Sequence, residues 1–222
     1  MLLVLATLGF TSIIGQVVLM RELVAVNYGN ELIFGLILAW WLLWEAIGAW
    51  GLGRWADRRH WRQRALALTL VLAAFALPFE IILTRSIRDL LGVTPGAILP
   101  LGQVVWIVGL ILAPYCLVHG LAFSLGARLL GGDSAGRAYA YESVGAVVGG
   151  ALFSFVLINR IDPFQVILVV TSLTLIAVAQ LAWPFIRHWS RLLPLILIAV
   201  PISLALGARL HRATLAQQWP RL

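Results

Sequence analysis

Apolar residues run through this chain in seven long stretches, at about 2–23, 31–53, 65–84, 98–129, 136–158, 164–186 and 192–208. Short polar or arginine-bearing connections separate them. A helix needs about 20 residues to cross a hydrocarbon core, and each stretch approaches or exceeds that length. None shows the strict alternation of a barrel strand. Helices are therefore expected, because only helices and closed barrels satisfy every backbone N–H and C=O in lipid. The pattern predicts an all-α, polytopic transmembrane helical bundle of about seven spans. The fourth stretch is too long for one straight crossing. Pro100 and Pro114 predict a tilted or kinked helix there, or an interfacial lead-in before the span. The first stretch lacks a basic leader and a small-x-small cleavage site, so it reads as a retained span rather than a signal peptide. Residues 1–208 are expected to form the transmembrane domain. Residues 209–222 read as a polar tail or the start of a connection to a further domain.

Composition agrees with this reading. Hydrophobic residues make up 62 % of the chain and charged ones 11 %, against about a quarter charged in soluble domains. No stretch remains for a folded soluble domain. The net charge of +7 raises the possibility of a nucleic-acid partner. The distribution argues against it. All sixteen basic residues are arginines, most of them near span ends, where they act as orientation signals and headgroup anchors. The expected partner is the lipid bilayer, not nucleic acid.

Arg54, Arg58, Arg59, Arg62 and Arg64 share the connection after the second stretch, which should therefore be cytoplasmic. The N-terminus is then cytoplasmic in a bacterial inner membrane. With seven spans the tail lies outside, and with one span miscounted it lies inside. The single cysteine, Cys116, sits in an apolar run and reads as a small buried residue. Trp40, Trp41, Trp44 and Trp50 lie too deep to be only interfacial anchors.

Ionisable residues inside spans are costly and are functional candidates by default. They fall in two layers. The inner layer holds Glu45, His119 and Glu142, a candidate cation or proton site. Glu142 is followed by Gly145 and Gly149, on the same helix face and spaced for close helix approach. Gly48 does the same beside Glu45. Glu142 is expected to reach the second or fourth span within hydrogen-bond distance. The outer layer holds Arg21, Glu22, Glu31, Glu80 and Arg85, expected as a paired charge network, for example Arg21 with Glu80. His60, His188 and His211 fall in predicted loops or tail, so a haem with two axial histidines is not expected. No cofactor and no metal site is read in this segment. No GxxxxGK[ST], GxGxxG after a strand, or HExxH is present, so no catalytic residue is assigned.

Three segments together resemble a known family: Gly15-Gln-Val-Val-Leu-Met-Arg-Glu-Leu23 with Tyr28-Gly-Asn-Glu-Leu32, Leu42-Leu-Trp-Glu-Ala-Ile-Gly48, and Tyr139 to Gly150 with Phe153-Ser-Phe155. They are similar to the N-terminal polytopic membrane domain of bacterial spermidine-synthase-like proteins, including those fused to a major-facilitator-like region. A further stretch, Gly53-Arg-Trp-Ala-Asp57-Arg58 followed by Arg62, resembles the cytoplasmic loop between the second and third helices of the major facilitator superfamily. His60 replaces that pattern's second glycine. This resemblance implies a half-transporter-like bundle with Asp57 and Arg58 in a cytoplasmic loop. The first implies that any aminopropyltransferase-like activity lies beyond residue 222.

The expected role is to anchor a partner domain or subunit, and also to pass a small cation or proton through the inner-layer carboxylates. The alternative is a non-transporting scaffold subunit of a larger membrane complex, a redox one included.

Overall fold

The computed structural model describes residues 1–53, 62–94, 96–131, 135–182 and 189–218. Asp57, Arg58 and most of the arginine-rich connection lie outside the described residues. Seven helices follow one another: α1 (Leu2–Val26), α2 (Leu32–Ile47), α3 (Arg62–Leu90), α4 (Leu101–Leu130), α5 (Ala135–Leu152), α6 (Pro163–Ala182) and α7 (Trp189–Gln218). One π-helical turn, Gly48–Leu52, prolongs α2, and another, Phe153–Leu157, prolongs α5. No strand occurs among the described residues. All seven helices are long and apolar enough to cross a membrane. The chain is a multi-pass membrane protein built as an all-α bundle.

Burial sorts the helices into inner and outer positions. Half of the apolar window of α1 and of α4 is buried, against 11 % in α7 and 17 % in α5. Helices α1 and α4 therefore form the centre. The main core joins Ile14 and Leu19 of α1, Ile37 of α2, Leu77 of α3, Leu112 of α4 and Phe164 of α6. The outward faces of α2, α5 and α7 carry exposed leucine, valine and phenylalanine, as lipid contact requires.

Three element boundaries differ from the hydropathy reading. Helix α3 runs on to Leu90 and so carries Arg85 and Arg88 within the helix. Both cations are supplied with acceptors, which removes the cost that would end an apolar span there. Helix α4 is one continuous helix of 30 residues with Pro114 inside it. Pro100 stands just before its first turn, where no helical N–H is lost. Helix α7 continues to Gln218, so 209–218 is helix where a tail was expected. His211 and Thr214 pack against Arg85, and that contact carries the helix on. Arg85 also contacts Glu22 near the end of α1, and His211 contacts Asp162 between α5 and α6. The last turns of α7 therefore lie at the bundle end opposite Met1.

Two internal prolines couple helices. A proline leaves the carbonyl four residues earlier without its N–H partner. For Pro78 that carbonyl belongs to Ala74, and the Thr171 hydroxyl of α6 donates to it at 2.9 Å. Beside Pro114, the Tyr115 N–H donates to the Glu80 carboxylate of α3 at 2.8 Å.

Candidate functional site

Two backbone-close helix crossings build the inner site. In the first, α2 meets α4. A Cβ on Gly48 would overlap the Leu117 carbonyl, and a Cβ on Gly120 would overlap the Glu45 carbonyl. Only hydrogen at these positions lets the two backbones touch. This reciprocal contact sets Glu45 beside His119, one residue before Gly120. In the second crossing, α1 meets α5. A Cβ on Gly9 would overlap the Glu142 carbonyl, one on Gly145 would overlap the Ala6 carbonyl, and one on Gly149 would come within 2.7 Å of the Phe10 carbonyl. This crossing fixes the height of Glu142.

The result is a histidine between two carboxylates from three helices. His119 Nδ1 lies 2.7 Å from Glu45 Oε1, and His119 Nε2 lies 3.8 Å from Glu142 Oε1. The His119 side chain is 4 % exposed, Glu45 25 % and Glu142 18 %. The short contact is a close ion-pair approach without hydrogen-bond alignment, and both imidazole nitrogens lack an aligned partner. The expected hydrogen-bond reach of Glu142 is corrected. At 3.8 Å it stands at ion-pair range, because α5 is docked on α1 and approaches α4 only from the side.

Tyr115 lies one helical turn from His119 on α4. Its ring stacks on the imidazole at 5.6 Å and 27° and packs against Trp41 at 5.6 Å. Beside it, Glu80 is fully buried. Glu80 Oε1 accepts the Tyr115 N–H, and Oε2 has no hydrogen-bond partner. The tryptophans of α2 also turn inward. Trp44 Nε1 donates to the Gly109 carbonyl at 2.8 Å, and Trp40 fits over the same glycine.

The outer cluster departs from expectation. Arg85 is 1 % exposed and holds Glu22 with two bonds, Nε to Oε2 at 2.8 Å and Nη2 to Oε1 at 2.6 Å. Its Nη1 donates to the Thr214 hydroxyl at 2.7 Å and meets His211 Nδ1 at 3.2 Å. His211 Nε2 lies 3.6 Å from Asp162. Arg21 does not pair with Glu80. Arg21 and Glu31 are exposed, because both point off the helix faces that pack, while Glu80 points at α4. The expected five-residue network thus reduces to Glu22 and Arg85, joined by His211, Thr214 and Asp162. His211 belongs to a span, not to a tail.

Several of these residues were missed in the sequence. Gly9 and Gly120 carry no GxxxG spacing, so a search confined to that motif passes over them. Tyr115 stands beside Pro114, and a polar side chain next to a mid-span proline is a usable signal. Thr214 and His211 lie past the hydropathy boundary, and nothing local marks them. A groove of about 320 Å³ along α1, between α5 and α6 with α7 at its edge, is lined chiefly by apolar residues such as Leu3, Phe10, Val148, Leu173 and Ile196. It does not include Glu45, His119, Glu142 or Glu80.

Compared with protein families, with curated proteins and with solved structures, the chain matches none.

Proposed function

We propose that this chain is the membrane domain of a bacterial spermidine-synthase-like protein, that it anchors a partner domain or subunit, and that it passes protons through Glu45, His119 and Glu142. The observation that carries the proton reading is His119 held between two carboxylates, with neither ring nitrogen in an aligned hydrogen bond. An imidazole accepts a proton at one nitrogen and releases one from the other. A carboxylate on each side provides a donor and an acceptor. A metal-like cation fits this arrangement less well, because each carboxylate faces an imidazole nitrogen rather than a shared empty centre.

Anchoring rests on the seven crossings and on the family resemblance of the glycine-bearing segments. By the arginine bias, the bundle end with Arg62, Arg64, Arg128 and Arg137 faces the cytoplasm of an inner membrane. The N-terminus is then cytoplasmic, and the end of α7 lies on the other side.

The test is proton flux in proteoliposomes holding the full chain, with a pH dye inside and a potassium diffusion potential as the driving force. The wild-type protein should dissipate the gradient. Glu142→Gln should abolish the flux while leaving the gel-filtration profile unchanged. A wild-type protein as tight as empty vesicles would sink the proton reading and leave the non-transporting scaffold.

A further inference from the structure

We infer that Glu80 is a second proton-binding site, a carboxylic acid held inside the bundle with its proton on Oε2. The inference rests on the proposed proton path only in giving that proton a purpose, since the site stands on its own geometry.

Glu80 is fully buried, well inside α3 and against the turn of α4 that holds Pro114 and Tyr115. Its two oxygens differ. Oε1 accepts the N–H of Tyr115, the residue after Pro114, at 2.8 Å. Oε2 is buried with no partner. Among the described residues no arginine or histidine forms an ion pair with this carboxylate. An isolated carboxylate in an apolar interior is among the costliest arrangements a bundle can hold. A proton on Oε2 removes the charge and leaves Oε1 as the acceptor the backbone requires. Its titratable neighbours are Tyr115 and Cys116 of α4, while Arg85, five residues along α3, is engaged by Glu22.

Tyr115 ties this acid to the inner cluster, because its backbone N–H binds Glu80 Oε1 and its ring stacks on His119. Taking up the proton forms one O–H bond at Oε2 and releasing it breaks that bond, so no electrons move and no further reactant is consumed.

Infrared difference spectroscopy of the full chain in lipid tests this without measuring flux. A carbonyl band of a protonated carboxyl group should be present, should disappear in Glu80→Gln, and should persist in Glu142→Gln. The amide introduced by Glu80→Gln keeps an acceptor for the Tyr115 N–H. Should that variant still fail to assemble, the band's survival in Glu22→Gln, Glu45→Gln and Glu142→Gln, each taken singly, assigns it to Glu80. On transfer to heavy water the band should shift, as an exchangeable O–H requires. Absence of the band, its survival in Glu80→Gln, or a band that does not shift in heavy water would each overturn the inference. A shifting Glu80 band in a protein that carries no flux would overturn the transport reading alone.

Discussion

His119 of α4 places Nδ1 2.7 Å from Oε1 of Glu45 on α2, and the two residues reach that distance because Gly120 and Gly48 let the backbones touch. A side-chain contact thus depends on the absence of side chains beside it. The same dependence holds for Glu142, whose carbonyl rests on Gly9.

Enlarging these glycines should therefore cost more than the local contact. Gly9→Val and Gly120→Val should each reduce the folded fraction strongly, because the atoms met are backbone carbonyls that cannot move aside. Gly35 has nothing within 4 Å of its Cβ position. Gly35→Ala should be neutral or stabilising by up to about 1 kcal/mol, as alanine is the better helix former. Thermal unfolding in detergent separates these outcomes, and a well-folded Gly120→Val would refute the backbone contact.

Removing the imidazole should leave two poorly partnered carboxylates. His119→Leu is expected to destabilise by about 1–3 kcal/mol, the usual cost of orphaned buried polar groups. Adding Glu45→Gln and Glu142→Gln to it should recover a large part of that loss. Additive losses in the triple variant would show that the three side chains are not coupled.

Arg85 and Glu22 form a buried pair with two bonds. Breaking it from one side, as in Arg85→Leu, should cost about 3–5 kcal/mol, because Glu22 would be left as an unpaired buried charge. Arg85→Lys should also be damaging, since an ammonium cannot reproduce the two-point geometry. The double variant Glu22→Leu with Arg85→Leu should be more stable than Arg85→Leu alone. Chemical unfolding of the three variants decides the matter.

Pro78 and Thr171 should show coupling although they do not touch the site. Thr171→Val should cost about 1 kcal/mol by leaving the Ala74 carbonyl unpaired. Restoring the missing N–H with Pro78→Ala should make Thr171→Val nearly silent. Equal losses in both backgrounds would dismiss the hydroxyl's assigned role.

Sidedness can be read by cysteine labelling, as the native Cys116 is buried. Arg137→Cys should react only from the cytoplasmic side and Asn30→Cys only from the other. The reverse pattern would invert the proposed orientation.

The class of the fold was legible from residue order alone. Apolar runs of membrane length have few ways to satisfy their backbone in lipid, so hydropathy leads to seven helices without further information. Glu45, His119 and Glu142 stood out for the same reason, since a charge inside such a run is visible against its surroundings. Partners were not legible. The pairing of Arg85 with Glu22 instead of Arg21 with Glu80 depends on how helix faces turn when the bundle closes. So does the recruitment of His211 and Thr214 from beyond the hydropathy boundary. Helix rotation and crossing height are set by small residues such as Gly9 and Gly120, whose effect exists only where a second backbone arrives. Residue order therefore specified which charges had to be buried, while packing in three dimensions decided which neighbours would receive them.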